Sequence, residues 1–437
     1  MPSRRTFLAS CTAGVGALAG CLSTGQPSVT GSWPHRTVDD DHTGYSPTTG
    51  PTTNLHTVWD QRRPDRGGGE TSPVVEDGVL YVAYTEGVHS NEPATTWVEA
   101  FDAATGESRW KTELYHTNES HYFHHSDSLV VDGDRLFVQT KPGLTMLTTD
   151  GEVEWMFDNQ GPGQQIPDIV PPVVTDDVVV AGSYDTVHDG DEVVYGIDTA
   201  TGEERWRRPT SGRENMWRLA SHGGVVYVPF LDEGLLALDV ATGEERWWWD
   251  GPIHGTPTVT DDRLLVSQRR FDEDTDSLLA LDRRDRSRQW RQSLGPRWPA
   301  STVSVADDLL VHTHDDGLEA RRRDTGERVW RFGGDVIPGE EYPPDEPVFD
   351  LRSTPVVAGD AVYVAGYVQR ETVHGRLFVV DLATGEELSR VALGRNEHTD
   401  HSTPAVTSDL VFLSTNHGGL YAFGECSTEL FGHCLRR

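Results

Sequence analysis

The stretch Ala100-Phe101-Asp102-Ala103-Ala104-Thr105-Gly106-Glu107-Ser108-Arg109-Trp110 decides how this sequence is read, because it comes back. It returns as Gly196-Ile197-Asp198 through Thr201-Gly202 to Trp206, and as Ala237-Leu238-Asp239 through Thr242-Gly243 to Trp247. Weaker copies end at Trp155, Trp290 and Trp330, and a seventh runs from Val379-Val380-Asp381 through Thr384-Gly385 to Ser389, which stands in the Trp position. Each copy reads as a strand, a tight Thr-Gly turn and an outer strand carrying an indole.

Before each copy runs a second signal: a short apolar strand, an Asp/Gly turn and an alternating strand. Pro73-Val74-Val75-Glu76-Asp77-Gly78-Val79-Leu80-Tyr81-Val82 is one example and Pro355-Val356-Val357-Ala358-Gly359-Asp360-Ala361-Val362-Tyr363-Val364 another. Every unit is therefore four short strands, and its period of roughly 40 to 55 residues is that of propeller blades. Inner strands are expected to begin near Pro73, Ser128, Pro172, Leu219, Pro257, Val303, Pro355 and Pro404, which makes eight blades. The eighth unit stops at Leu420-Tyr421-Ala422-Phe423-Gly424 without an outer strand, while Leu55-His56-Thr57-Val58-Trp59 stands unused before the first blade. The fold expected is all-β: an eight-bladed propeller of four-stranded antiparallel blades, its ring closed by the N-terminal strand, which leaves no open sheet edge at the seam.

The repeated Ala-x-Asp-x-x-x-Gly-x-x-x-Trp pattern resembles the tryptophan-docking repeat of pyrroloquinoline-quinone-type β-propellers, over about residues 33 to 424. Trp33-Pro34 and Thr43-Gly44-Tyr45-Ser46-Pro47 are similar to the opening segment of such proteins in salt-loving archaea. The resemblance implies that Trp59, Trp110, Trp155, Trp206, Trp247, Trp290 and Trp330 dock between blades, each indole N–H finding a backbone acceptor. It implies no single activity, because the superfamily holds quinone dehydrogenases, sensor domains and a bacterial outer-membrane assembly lipoprotein. The dehydrogenases use pyrroloquinoline quinone above a calcium ion, an Asp base and, in many members, a disulfide between adjacent cysteines. Here no Cys-Cys pair exists and no cysteine lies between Cys21 and Cys426, so no cofactor and no catalytic residue are expected. Quinone and Ca2+ remain the alternative, and a ligand sensor a third reading.

The rest of the chain gives it an address. Ser3-Arg4-Arg5-Thr6-Phe7-Leu8-Ala9 and the apolar run to Gly20 read as an export signal over residues 1–20, too short to span a bilayer and similar to a twin-arginine leader. Leu18-Ala19-Gly20-Cys21 resembles a lipobox, which makes Cys21 a lipidated first residue at the outer face of the cytoplasmic membrane and residues 21–32 a short linker. An unlipidated Cys21 after an ordinary signal is the alternative. The ring would then span 33–424, with a tail at 425–437 whose Cys426 and Cys434 read as a small-loop disulfide, free thiols being the other possibility. A zinc site would need more ligands than this pair and His433 offer.

With 70 Asp+Glu against 37 Lys+Arg, and Lys only at positions 111 and 141, the chain is not expected to bind nucleic acid. Such an acidic, Arg-over-Lys surface suits molar salt and predicts loosening at low ionic strength. Neither a nucleophile elbow, nor a metalloprotease helix, nor a phosphate loop is present.

Any ligand is expected at the channel mouth, where the position three residues before each inner strand reads Glu70, His125, Ile169, Met216, His254, Ala300, Arg352 and His401. The polar ones, Glu70, His125, His254, Arg352 and His401, form a candidate site for a polar or anionic small ligand, with a solvated polar channel as the plainer reading. Loops between second and third strands look long in blades one, three, five and seven (Glu86 to Thr96, Tyr184 to Glu192, Arg269 to Ser277, Gln369 to Arg376). That face is expected to meet a protein partner at the cell surface, from a scaffold that is itself a monomer.

Overall fold

The computed structural model describes residues 29–62, 71–87, 93–117, 128–140, 143–158, 170–183, 192–213, 215–270, 275–295, 301–314, 317–333, 348–351, 353–369, 374–395, 397, 402–415, 418–426, 428–430 and 433–436. Eight antiparallel four-stranded blades form a propeller, and there is no helix among the described residues. Inner strands start at Val74, Leu129, Val170, Ala220, Thr258, Ser304, Val356 and Ala405, each within two residues of the sequence expectation. The last blade is completed by Leu55–Arg62, whose residues run antiparallel to Gly419–Glu425 from Leu55 opposite Glu425 to Arg62 opposite Gly419.

The hydrophobic cores lie between blades, because each blade is buried on both faces. Val226, Val228, Phe230, Leu236 and Leu238 of blade four meet Val173, Val180 and Val194 of blade three, while Tyr227, Leu235 and Ala237 meet Val259, Leu264 and Leu279 of blade five. Docking tryptophans clasp the outer part of these joints. Trp59, Trp110, Trp155, Trp206, Trp290 and Trp330 donate to the carbonyls of Ala103, Thr149, Thr199, Val240, Arg323 and Leu382 in the next blade, at 2.9 to 3.2 Å. The ring of each lies on the turn glycine: a Cβ at Gly106, with φ of +72°, would come within 2.7 Å of Trp59. Blade five departs, since Arg286 holds the left-handed turn position (φ 62°) and lays its guanidinium 5.2 Å from the ring of Trp247.

At the seam the turn is imitated by two chain ends. The Glu425 carboxylate accepts the N–H groups of Thr52 (2.7 Å) and Thr53 (2.9 Å), as Asp102 caps Ala104 and Thr105 in an intact turn. Ser389, in the place of Trp, accepts the N–H of Leu55 at 3.2 Å.

The joint between blades five and six is built differently. The blade-six face that carries Leu310 toward blade five also carries His312, His314, Glu319 and Arg321, all less than 9% exposed. Arg321 donates to His312 Nε2 (3.2 Å) and to the Glu319 carboxylate (2.6 Å), whose other oxygen takes Arg328 (3.2 Å) and Arg331 (3.0 Å).

Two features were not expected. Val348–Leu351 adds a strand beside Ala361–Gln369 in blade seven, and Tyr45–Ser46 pairs in parallel with that blade's inner strand. In blades one, five and seven, much of what looked like loop is ladder, since Glu86 pairs with Thr95, Arg270 with Thr275 and Val368 with His374. These are tall hairpins; the span 184–191 of blade three lies outside the described residues.

Candidate functional site

An inner strand has one edge bonded to its own blade and one edge facing the axis, where its N–H groups need partners. The chain supplies them itself. Residues 30 to 46 travel once round the inside of the ring and bond to every blade in turn. The carbonyl of Thr30 accepts Ser408 N–H in blade eight (3.0 Å), Trp33 exchanges two bonds with Val75 in blade one (2.7 and 2.9 Å), and Pro34 O takes Val131 in blade two (3.0 Å). Asp40 serves two blades, with its carboxylate on Val174 N–H (3.2 Å) in blade three and its carbonyl on Ser221 N–H (2.9 Å) in blade four. Asp41 O accepts Val259 in blade five (2.9 Å), Thr43 O accepts Val305 in blade six (2.7 Å), and Gly44 O and Ser46 O accept Val357 and Gly359 in blade seven (2.8 and 3.0 Å).

Two residues fix this path sterically. Trp33 is fully buried beside Val75. Gly44 sits at φ +60° where a Cβ would fall 2.1 Å from the Ser304 hydroxyl oxygen, so no larger residue fits without moving blade six. The segment lies at the turn end of the channel. Its start touches the first-to-second-strand turn of blade one, with Val29 O close to Gly78, and Gly78 O in turn accepts Ala103 N–H of the Thr-Gly turn (3.0 Å).

Side chains of this plug form a polar knot. His35 Nδ1 lies 3.2 Å from Asp40. Arg36 donates to Thr403 (2.8 Å) and Thr354 (2.9 Å), tying it to blades eight and seven. His42 faces the Leu219 carbonyl with Nε2 (2.7 Å), so that nitrogen carries a proton, and in the neutral ring Nδ1 accepts the Thr37 hydroxyl (2.7 Å). Asp39 caps Thr43 N–H (2.8 Å), and His222 bridges Asp41 (2.8 Å) and Asp261 (3.1 Å). Burial pushes Asp39 up to about 6, lifts Asp40 well above the carboxylate range with help from neighbouring Asp39, and raises Asp41. Burial, then the adjacent His42, holds His35 down to about 3. A small cavity remains between the knot and blades two to four, lined by His35, Arg36, Asp40, His42, Pro172 and Arg218.

Of the sequence-derived channel-mouth residues, only His254 is among those described; Glu70, His125, Arg352 and His401 lie outside them, as does Cys21. The His254 backbone N–H bonds to Ser267 O (2.8 Å), its Nδ1 is 3.8 Å from Asp232, and burial lowers its pKa. Met216, at the same repeat position in blade four, is buried in the core against Phe230. Cys426 and Cys434 are joined in a disulfide. Sequence reasoning missed His35, Arg36, Asp40 and His42. The run Asp39-Asp40-Asp41-His42 beside Trp33-Pro34 was the available signal, since three adjacent acids need partners wherever they are buried.

The family profile described as outer membrane protein assembly factor BamB matches residues 52–183, 94–247 and 190–427, together nearly the whole ring. No curated protein matches the sequence at a significant level. Among solved structures, BamB from Moraxella catarrhalis is similar with a TM-score of 0.57 at 16% identity, over 86% of this chain and 99% of that one. Quinohemoprotein alcohol dehydrogenase from Comamonas testosteroni reaches 0.64 at 16% identity, over 93% of this chain and 82% of that one. A europium-containing methanol dehydrogenase reaches 0.63 at 14% identity, over 90% and 98%. At these identities the structures speak for the fold, and with repeat, ring closure and profile in agreement the chain belongs to the PQQ-like propeller family described as outer membrane protein assembly factor BamB.

Proposed function

We propose that this protein is a non-catalytic binding or assembly scaffold, exported and held by a lipid on Cys21 at the outer face of the cytoplasmic membrane, that grips a protein partner with its hairpin face. The plug is the observation that carries the reading. A propeller offers a small molecule one concave site shared by all blades, its axis. Here the turn end of that axis is occupied by the chain's own residues 30 to 46, bonded to seven blades through the backbone and to blade three through the Asp40 carboxyl. The plug also suits a tether: its first residues sit at the turn face, eight residues after Cys21, which brings that face to the bilayer and leaves the hairpins of blades one, five and seven pointing away. The family description, an assembly factor, agrees with a scaffold.

The repeat's resemblance to quinone dehydrogenases raises pyrroloquinoline quinone and calcium, and a quinohemoprotein alcohol dehydrogenase is among the similar structures. Calcium takes six to eight oxygen ligands. At the plug, Asp39 is committed to Thr43, Asp40 to Val174 and His35, and Asp41 to His222. Among the described residues no three acidic or imidazole ligand atoms converge at the axis. The described end of the channel thus offers such an ion no ready-made group of acidic or imidazole ligands.

The test uses the mature chain in molar salt, with a photo-crosslinker placed at Thr95 or Arg269 on the tall hairpins, or at Thr105 or Thr242 on the Thr-Gly turns. Adducts with a membrane or cell-surface protein from the hairpin positions alone are expected. Adducts from the turn positions instead overturn the assignment of the face. A saturable rise in the unfolding midpoint with pyrroloquinoline quinone and Ca2+ overturns the scaffold in favour of the dehydrogenase, since saturation at 100 times Kd adds about 2.7 kcal/mol.

A further inference from the structure

Along the sequence, the cysteine pair near the C-terminus has too few neighbours for a metal. Ring closure supplies one from the other end of the chain. His56 lies on the closing strand opposite Gly424, and Cys426 follows that same neighbouring strand with its N–H on Asn54 O (3.2 Å). Cys434 returns on the short hairpin Thr428–Leu430 and His433–Arg436, where it faces Glu429. One imidazole nitrogen of His56 and both sulfurs lie within 4.8 Å of one another, with Cys426 buried and the other two half-buried.

In the oxidised chain the sulfurs are bonded to each other and make poor ligands. A dithiol reductant changes that: two electrons and two protons pass to the disulfide, the sulfur–sulfur bond breaks to two thiols, and the reductant closes to its own disulfide. Each thiol then releases a proton as it takes a metal. Zinc binds sulfur at about 2.3 Å and imidazole at about 2.0 Å, so tetrahedral ligand atoms stand about 3.5 to 3.8 Å apart. The His56 nitrogen lies within 4.8 Å of both sulfurs, so a small approach brings it to that spacing, and the eight-residue separation of the cysteines lets the sulfurs part.

We propose that the reduced chain holds one zinc-class divalent ion at the ring seam through Cys426, Cys434 and His56, with the fourth position open to water, and that disulfide and metal exclude one another. The two clasps differ in reach. The disulfide ties the C-terminal hairpin only to the last blade's own strand, whereas the metal also takes His56 from the N-terminal strand and so bridges the two chain ends that close the ring.

The experiment uses the full mature chain in molar salt, reduced with dithiothreitol, desalted without oxygen, and titrated with Co2+ as the probe. A thiolate-to-cobalt charge-transfer band saturating at about one ion per chain and erased by Zn2+ is expected. The oxidised chain is expected to show no band, Cys434→Ser to lose it, and His56→Gln to keep a thiolate band with affinity weakened at least tenfold. Zn2+ should raise the unfolding midpoint of the reduced chain alone. Two titratable thiols in a folded, reduced chain without a charge-transfer band overturn the site. A His56→Gln protein that binds cobalt as tightly as the parent overturns the three-ligand assignment.

Discussion

The axial plug and the joint between blades five and six both bury clusters of titratable groups inside the ring, yet pH acts on them in opposite directions. At the joint, burial holds His312 down to about 3 and His314 to about 4. Burial alone would raise Glu319, but the charges of His312, Arg321 and Arg331 and the Arg321 hydrogen bond outweigh it and bring it to about 2. All three folded values fall below the unfolded ones. Their contribution to stability is therefore present above about pH 6.5, and is lost as pH falls. At the plug, Asp39, Asp40 and Asp41 are raised, so their contribution is complete below the ordinary carboxylate pKa and is lost as pH rises, for Asp39 through about 6. His35 alone at the axis sides with the joint. Acid loosens the wall of the ring, and neutral pH strains its centre.

The sharpest way to break this contrast is Glu319→Ala. It leaves Arg321 and two imidazoles facing blade five without their carboxylate, and removing one partner of a buried pair costs about 3 to 5 kcal/mol. Urea unfolding in molar salt at pH 7 measures it. A loss within about 0.5 kcal/mol of zero is what a surface substitution gives, and would mean the cluster is hydrated. Blade four supplies the control, because it holds Val228, Leu236 and Leu238 where blade six holds His312, Glu319 and Arg321. The triple variant His312→Val, Glu319→Leu, Arg321→Leu is expected to be neutral or more stable by about 1 to 4 kcal/mol.

A smaller effect distinguishes charge from packing in the same protein. Between pH 7 and pH 4.5 acid should cost the triple variant less stability than it costs the parent, read as the difference between their thermal midpoints, since its joint has lost the His312 imidazole, whose contribution goes as pH falls from about 6.5 toward 3. Parallel curves would assign the acid sensitivity elsewhere, to the axis included.

The contrast also marks what could be read along the chain. Blade count, strand starts and docking tryptophans were legible because each is written several times at a fixed spacing, so that seven copies outvote one irregularity such as Arg286 or Ser389, and ring closure because the count left one strand over before the first blade and one short in the last. The joint was not. Glu319 and Arg321 alternate with Leu318 and Ala320 as in a strand with one wet face, and only the stacking of blades on both sides turns that face inward. The plug was less legible still, because its partners are backbone N–H groups in eight blades, which leave no mark on composition or period. His56 reaches Cys426 only through ring closure, across most of the chain. Of the channel-mouth set, drawn by register alone, His254 is the member among the described residues.

The finest test bears on the axis alone. Asp39→Asn keeps an oxygen to cap Thr43 N–H but removes the carboxyl that burial lifts to about 6. At pH 4 both folded proteins carry a neutral group there, and their stabilities should agree. At pH 8 the parent must ionise a buried carboxyl while the variant does not, so the variant should be the more stable by about 1 to 2 kcal/mol, a tenfold change in proton affinity being worth about 1.4 kcal/mol before solvent screening. Urea midpoints at the two pH values give the difference directly. A gain of equal size at both would be a matter of shape and not of charge. A loss at pH 8 would mean that Thr43 needs an ionised partner, and the plug would then share the sign of the joint.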